Sequence, residues 1–290
     1  MIKLLALDLD GTVLNSSGRI VDKNRDAIRA AEAAGVLVTI ATGRRFRDAQ
    51  PVGLDLELNA PLITHNGALL KYARSLETVE ADLISTETAT EIIRVGKKFG
   101  GDAFISVDPV GSGTLIYDRV SVENEPLRRY LQWAMTLHGE EATDTVIHVP
   151  LLEDEIEKHE VIHVSFSGTC ERMYDMRRFL EDELADSVTI LATVYPRRNF
   201  TLLDILPPDS SKGSGLKKLA SISGIGRENI MAIGDNFNDI EMLEFAGVPV
   251  VMGNADPSLL ERNEFDTTLS NDEGGVAAAV EKFILNGRNL

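Results

Sequence analysis

The chain is poor in cysteine: Cys170 is the only one among its 290 residues. A single cysteine cannot form a disulfide within the chain, and no histidine stands near it at metal-ligand spacing. We therefore interpret Cys170 as a structural residue and not as a catalytic thiol. With 43% hydrophobic and 26% charged residues, a chain of this length can bury a core that needs neither a disulfide nor a structural metal.

The sequence also lacks long apolar runs and an excess of positive charge. No segment approaches the roughly 18–20 apolar residues that a membrane-spanning helix needs. The N-terminal segment MIKLLALDLDGT is too short in its apolar part for a signal peptide. Lysine and arginine number 29 against 46 acidic residues, and the net charge of −17 repels nucleic acid and anionic lipid. We expect a cytoplasmic protein with no nucleic-acid and no membrane partner.

Five short apolar runs predict the buried strands of a parallel sheet. Each run ends in polar or glycine-containing residues, and helical patterns lie between several of them. Strands and helices that alternate at short intervals indicate βαβ units, and therefore a Rossmann-like, doubly wound α/β fold. The predicted strands are 3–10, 36–42, 61–67, 229–235 and 248–253, and the predicted helices are 22–34, 212–223 and 238–246.

The alternation is interrupted in the middle of the chain, where helices are longer and strands more amphipathic. The interruption has the length of a small α+β domain. We therefore predict a catalytic core of 1–83 and 191–290, with an inserted α+β cap domain of 84–190. A domain inserted after a sheet strand is expected at the carboxyl ends of the strands, where α/β folds bind their ligands. The helical stretches of the cap are 86–99, 124–137 and 169–185.

Two aspartates close the first predicted strand, in the sequence Asp8-Leu9-Asp10-Gly11-Thr12. At i and i+2 on an extended chain their side chains point the same way, and Gly11 allows a sharp turn. Close carboxylates repel each other unless a cation lies between them or their pKa values are driven apart. Magnesium suits the first solution, and a nucleophile beside an acid/base suits the second. The alternative is an Asp-Gly turn that only ends a strand.

Two further motifs offer groups that bind anions. Thr42-Gly43-Arg44 follows the second strand, where a hydroxyl and backbone N–H groups before a helix can hold a phosphate. A plain turn would have the same sequence. Lys212 begins a predicted helix against the helix dipole, and a bound phosphate would remove that conflict. For Lys212 the alternative is a solvated surface lysine.

The fourth motif, GDNFND at 234–239, follows the strand 229–235. Asp235 and Asp239 are four residues apart across the turn from strand to helix. Both carry hard oxygen ligands that suit magnesium at the same sheet edge. For Asp239 the alternative is a favourable charge in the first turn of a helix, which needs no ligand.

Together, in this order and each at a strand end, the motifs resemble those of haloacid dehalogenase superfamily phosphatases. The subfamily they resemble is the Cof-type (class IIB), which has a large C2 cap. Segments 66–68, 253–255 and 271–277 resemble the same subfamily, and no catalytic position departs from its pattern. The matching motif residues are Asp8, Asp10, Thr12, Thr42, Lys212, Gly234, Asp235, Asn238 and Asp239.

The resemblance implies a magnesium-dependent phosphatase that acts on small phosphorylated metabolites. Asp8 would be the nucleophile that becomes phosphorylated, and Asp10 the acid that protonates the leaving group and then activates water. Arg44 is left open as a helper. Phosphate binding is implied for the backbone of Leu9 and for Thr42, Gly43, Lys212 and Asn238. Metal binding is implied for Asp8, for Asp10 through its carbonyl, for Asp235, and for Asp239 directly or through water.

Two other functions stay open at this point. A phosphomutase of the same superfamily would return the phosphoryl group to a sugar, and a catalytically silent protein would only bind the phosphometabolite. The presence of Asp8, Asp10 and Asp235 argues against the silent protein. The substrate would be a sugar phosphate or a phosphorylated cofactor, and the motifs are compatible with a monomer or a dimer.

Overall fold

The computed structural model describes residues 1–286, apart from the side chains of 140–142, 185 and 197. It consists of two compact units. The first is formed by Met1–Glu80 together with the chain from Ser211 onward, and the second by Ala81–Ser210. Among the helices of the described residues, none is both long enough and apolar enough to cross a membrane.

Strands and helices follow one another along the described residues, and in three places strands are consecutive without an α-helix between them. Strands β1 to β14 are Leu4–Leu7, Leu37–Ile40, Leu62–Thr64, Leu69–Lys71, Thr78–Ala81, Ala103–Val107, Thr114–Tyr117, Val146–His148, Val161–Gly168, Thr189–Tyr195, Phe200–Leu206, Ile230–Gly234, Val248–Val251 and Asp266–Thr267. Helices α1 to α10 are Asp22–Ala33, Phe46–Leu56, Thr86–Lys98, Glu125–His138, Glu153–Ile156, Cys170–Leu184, Lys212–Ile222, Ile240–Phe245, Pro257–Leu260 and Gly275–Val280. Short 3-10 turns at His65–Gly67 and Phe237–Asp239 follow two of the strands closely.

A five-stranded parallel sheet forms the centre of the first unit, in the order β14-β13-β12-β1-β2. The prediction of an α/β fold with a parallel sheet is therefore confirmed. All four residues of β1 are buried, as expected of a strand covered on both faces. Leu7 at its end is level with Ile233 of β12 and Ile40 of β2. The residues that follow these three strands consequently meet at one edge of the sheet.

The third predicted strand, 61–67, is wrong in its partners and in its length. β3 pairs antiparallel with β4 in a separate three-stranded sheet, and one parallel bridge between Ala41 and Ile63 joins it to β2. The chain then turns through three residues with positive φ, His65, Asn66 and Gly67. The fifth strand of the parallel sheet is β14, whose two residues are exposed and form no apolar run.

An antiparallel sheet with one parallel pair, in the order β10-β11-β9-β6-β7-β8, forms the second unit. Helices α3 and α6 bury their apolar side chains in the core on one face of it, and α4 packs in a smaller core with Phe104 and Leu115. The three helices predicted for this region, 86–99, 124–137 and 169–185, end within one residue of the observed ends.

The second boundary predicted for the inserted domain needs correction. It was placed between 190 and 191, whereas the structure divides the chain between Ser210 and Ser211. The reason is long-range pairing: β11 pairs antiparallel with β9, and its Leu203 and Ile205 belong to the core of the second unit. The first boundary lies between 80 and 81, three residues before the predicted 83/84 position.

Candidate active site

The predicted site residues come from separate strand ends and one helix start in the first unit. Asp8 directly follows β1, and its N–H donates to the carbonyl of Ile233, 2.9 Å away, at the end of β12. Asp235 directly follows β12. Thr42 lies two residues beyond β2, and Lys212 is the first residue of α7. The fold thus gathers residues that lie more than 200 positions apart in the sequence.

Lys212 joins two of the aspartates. Its Nζ donates to Oδ1 of Asp8 and to Oδ1 of Asp239, both at 2.6 Å. The side chains are 2%, 5% and 0% exposed for Lys212, Asp8 and Asp239. The alternative of a solvated surface lysine is therefore excluded. Two carboxylates compensate the unfavourable position of this cation at a helix N-terminus.

Asp239 has hydrogen-bond partners on both carboxylate oxygens. Its Oδ2 accepts from the backbone N–H groups of Asp235 and Asn236, at 3.0 and 2.9 Å, while Oδ1 accepts from Lys212. Oδ1 of Asp235 accepts from the hydroxyl of Thr12 at 3.0 Å. Asp239 therefore shapes the turn after β12 and orients the lysine.

Three carboxylates form an acidic cluster at this place: ligand oxygens of Asp8, Asp235 and Asp239 all lie within 4.8 Å of one another. With the single ammonium of Lys212, the three negative charges leave a net charge of −2 in a mostly buried site. Hard oxygen donors with this net charge suit a divalent cation such as Mg²⁺ or Ca²⁺. The residues present thus fit a metal ion.

Burial and mutual repulsion raise the pKa values of two members of the cluster. Burial raises the pKa of Asp8 well above its usual range, and the charges of Asp239 and Asp235 add to this, while Lys212 opposes it. Burial, and then the charge of Asp239, raise the pKa of Asp235 to about 6. Without a cation the site therefore favours bound protons.

This gives a prediction for the metal-free protein. The pKa of Asp235 is about 6 when folded and about 3.9 when unfolded, so the folded state binds the proton more tightly. The resulting stability is present below pH 4 and is lost as the pH rises through 6, by on the order of 2 kcal/mol. Urea unfolding of chelator-treated protein between pH 4 and 7 measures it. In Asp235→Asn this part of the pH dependence should vanish; an unchanged profile would contradict the prediction.

Gly11 directly follows the two aspartates of the first motif and lies in a turn against the acidic cluster. Gly11 has φ +89°, and a Cβ added there would lie 2.3 Å from Oδ2 of Asp235. A side chain at this position would therefore be strained and would displace a cluster carboxylate. Leu9, two residues before Gly11, is buried, and its backbone carbonyl accepts from the backbone N–H of Leu14 at 2.9 Å.

Gly43 of the second motif lies close to Asn66, a residue for which the sequence predicted no role. A Cβ on Gly43 would lie 3.0 Å from the amide of Asn66, and Asn238 donates to Oδ1 of Asn66 at 3.4 Å. Asn238 therefore contacts Asn66, and the phosphate binding that the resemblance implies for Asn238 stays a prediction. Asn66 is buried with φ +49°. The Asn-Gly pair after a predicted strand is the sequence signal for this left-handed turn.

Asp10 is not a member of the acidic cluster and pairs with Arg44. The guanidinium of Arg44 donates to both oxygens of Asp10, from Nε at 2.8 Å and from Nη2 at 2.5 Å. The side chain of Asp10 is half exposed, unlike that of Asp8. The Asp10 carboxylate is thus separate from the cluster, as expected if any metal contact of Asp10 is made by its backbone carbonyl.

The two late motifs support the turn after β1. Asn254 donates to the carbonyl of Gly11 at 2.9 Å, and the N–H of Asn271 donates to Oδ1 of Asn254 at 2.8 Å. The side chain of Asn271 in turn donates to the carbonyl of Leu14 at 2.9 Å. Segments 253–255 and 271–277 therefore hold the backbone that carries Asp8 and Asp10.

Comparison with known proteins agrees with this site. The family model for haloacid dehalogenase-like hydrolases matches residues 5–280. The chain is 32% identical over 299 residues to 5-amino-6-(5-phospho-D-ribitylamino)uracil phosphatase YwtE of Bacillus subtilis strain 168, with 98% of both chains covered. It is 30% identical over 270 residues to pyridoxal phosphate phosphatase YbhA of Escherichia coli K12, with 90% of this chain and 91% of the relative covered.

A solved structure extends the likeness to three dimensions. A subclass IIB sugar phosphatase of the HAD superfamily matches with a TM-score of 0.76 at 25% identity, and the match covers 97% of this chain and 98% of that one. The resemblance noted from the motifs is therefore confirmed over nearly the whole chain. The chain belongs to the haloacid dehalogenase-like hydrolase family and is a phosphatase of its Cof-type, subclass IIB branch.

Proposed function

We propose that the protein hydrolyses small phosphate monoesters through a phosphorylated Asp8 and uses Mg²⁺ as its metal. The observation that carries this proposal is the buried contact of Asp8 with Lys212, beside Asp235 and Asp239 at the carboxyl edge of the sheet. A nucleophilic carboxylate must stay ionised in a site that also excludes water. The ammonium of Lys212 favours the ionised form of Asp8 against the larger effect of burial, and a bound cation would favour it further.

The proposed reaction has two displacements. An oxygen of Asp8 attacks phosphorus, the bond from phosphorus to the leaving oxygen breaks, and Asp10 gives that oxygen a proton. Asp10 then takes a proton from water, whose oxygen attacks phosphorus while the bond to Asp8 breaks. Inorganic phosphate leaves, and both aspartates return to their starting forms. Lys212 and Thr42, with the backbone N–H groups of Leu9 and Gly43, would bind the phosphoryl oxygens.

Asp8 and Asp235 would hold the metal directly, together with the backbone carbonyl of Asp10. Asp239 already uses both carboxylate oxygens in hydrogen bonds, which favours a contact through water. A bound Mg²⁺ would neutralise the charge that the Asp8 carboxylate and the substrate phosphate bring together. Asn238 would act on the phosphate site through its contact with Asn66.

The substrate class follows from the relatives and from charge. YwtE is named for a phosphoribitylaminouracil and YbhA for pyridoxal phosphate, both small phosphate esters. We propose a small phosphorylated metabolite of this kind, a sugar phosphate or a phosphorylated cofactor, for this chain too. The net charge of −17 disfavours a nucleic-acid substrate.

Phosphate release from a panel of phosphorylated sugars and cofactors tests the proposal. We expect turnover with Mg²⁺, its loss with a chelator, and its return when Mg²⁺ is added in excess. The metal dependence should appear for every substrate of the panel, because it belongs to the phosphoryl site. Full activity in the chelator would contradict the metal assignment. Release that requires an added sugar bisphosphate would identify a phosphomutase instead.

A further inference from the structure

We infer that Arg44 is a positioning residue for Asp10, whose carboxylate it holds in one orientation beside the phosphoryl site. The inference rests on the proposed role of Asp10 as proton donor to the leaving group. The observation that supports the inference is the two-point contact between the planar guanidinium of Arg44 and both carboxylate oxygens of Asp10, at 2.8 and 2.5 Å. Such a fork-to-fork pair fixes the direction of the ionised Asp10 side chain, and the protonated form keeps that direction while one oxygen still accepts from the guanidinium.

Asp10 needs an external partner to hold a fixed direction. Its side chain is 47% exposed, whereas the side chains of Asp8 and Asp239 are held in the buried cluster by Lys212. A half-exposed aspartate without a partner would populate several rotamers. A proton donor in several rotamers would meet the leaving oxygen in only part of its encounters.

Arg44 is itself anchored at the end of the neighbouring strand. Its backbone N–H donates to the hydroxyl of Thr42 at 3.1 Å, and its carbonyl accepts from the N–H of His65 at 2.9 Å. The N–H of Thr42 donates to the carbonyl of Ile63 at 2.9 Å. The pair thus joins the turns that follow β1 and β2, and the direction of Asp10 depends on the register of the sheet.

The chemistry of a guanidinium distinguishes the positioning of Asp10 from acid catalysis by Arg44 itself. A guanidinium stays protonated in proteins and supplies no proton to the leaving oxygen. Any effect of Arg44 on protonation of the leaving group must therefore pass through Asp10. Protonation matters most for a basic alkoxide leaving group and little for an acidic phenol such as p-nitrophenol. A positioning defect should consequently depend on the leaving group, which a general folding defect would not.

The test compares Arg44→Lys, which keeps the charge but loses the fork, with Asp10→Asn and the native enzyme. Two substrates are used with Mg²⁺: the alkyl phosphate of the panel that the native enzyme turns over fastest, and p-nitrophenyl phosphate. We expect Arg44→Lys to lower kcat/KM, which reports the displacement that expels the leaving group, about 10- to 100-fold for the alkyl ester and less than about 3-fold for the aryl ester.

Arg25→Lys provides a matched control. Arg25 makes the same kind of two-point contact with Asp55, at 2.8 and 2.9 Å, and its side chain is 23% exposed like that of Arg44. It joins α1 to α2 and touches none of the proposed site residues through this contact. Both substrates should keep their native kcat/KM in Arg25→Lys.

The outcomes distinguish the inference from the proposed function. If Asp10→Asn lowers kcat/KM for both substrates equally, or not at all, Asp10 is not the acid and the proposed mechanism fails. If Asp10→Asn shows the leaving-group dependence but Arg44→Lys does not, the positioning role is overturned and the mechanism stands. Equal losses of kcat/KM for both substrates in Arg44→Lys, with a native circular dichroism spectrum, would also overturn it.

Discussion

Asp8→Asn should abolish phosphate release, lowering kcat by roughly four to six orders of magnitude. The neutral amide that replaces the carboxylate is a poor nucleophile, and no acyl phosphate can form on it by the proposed route. The measurement is phosphate release with Mg²⁺ at saturating substrate. Rapid acid quench adds a direct readout, because a phosphorylated protein should be trapped from the native enzyme during turnover and not from the variant.

The same substitution should leave the fold intact. Asp8 is almost fully buried among other carboxylates, and burial raises its pKa well above the usual range. A neutral amide removes both the desolvation of this charge and its repulsion with Asp235, which offsets the weaker hydrogen bond from Lys212. The midpoint of urea unfolding in the absence of metal should therefore not fall.

Asp55→Asn is the control for that experiment. It removes a carboxylate from the exposed pair with Arg25, so turnover should stay at the native level. If Asp8→Asn kept more than about one percent of native activity, or if phosphate could still be trapped on it, Asp8 would not be the nucleophile. A folded Asp8→Asn without turnover would leave the aspartyl-phosphate route as the explanation.

The proximity of motif residues from separate strands could be predicted from the sequence because of a simple rule of α/β folds. Apolar strands that end in polar residues bring those residues to one edge of a parallel sheet. Asp8 and Asp235 could therefore be expected near one another. Lys212 begins a helix, and its place beside Asp8, 204 positions away, was implied by the family resemblance and not by this rule. The length and burial of β1 followed from its unbroken apolar run.

Features that depend on long-range pairing were missed. The second domain boundary was placed too early because nothing local to β11 shows that it pairs with β9. The contact of Asn238 with Asn66 spans 172 positions and depends on a left-handed turn that follows β3. The pairing of Arg44 with Asp10 similarly requires the register of β1 against β2. Composition and spacing carry no information on these contacts.

Lys212→Met should damage both catalysis and stability, because one ammonium serves two buried carboxylates. Methionine keeps the unbranched shape of the side chain and removes its charge. In the variant, the carboxylates of Asp8 and Asp239 would be buried without the ammonium that donates to both of them in the native protein. Breaking a buried ion pair in this way costs about 3–5 kcal/mol. Loss of a charge-stabilising donor at the phosphoryl group should lower kcat by roughly 10²–10³-fold.

The stability loss in Lys212→Met should depend on pH and on metal. Without metal, the loss measured by urea unfolding should become smaller as the pH is lowered from 7, because burial raises the pKa of Asp8 and its protonation relieves the uncompensated charge. Added Mg²⁺ should restore part of the stability at pH 7 and little of the activity. Lys217→Met, in the same helix but exposed, should change stability by less than about 0.5 kcal/mol and leave turnover unchanged. A Lys212→Met protein as stable as the native one at pH 7 without metal would show that the two carboxylates do not depend on this ammonium.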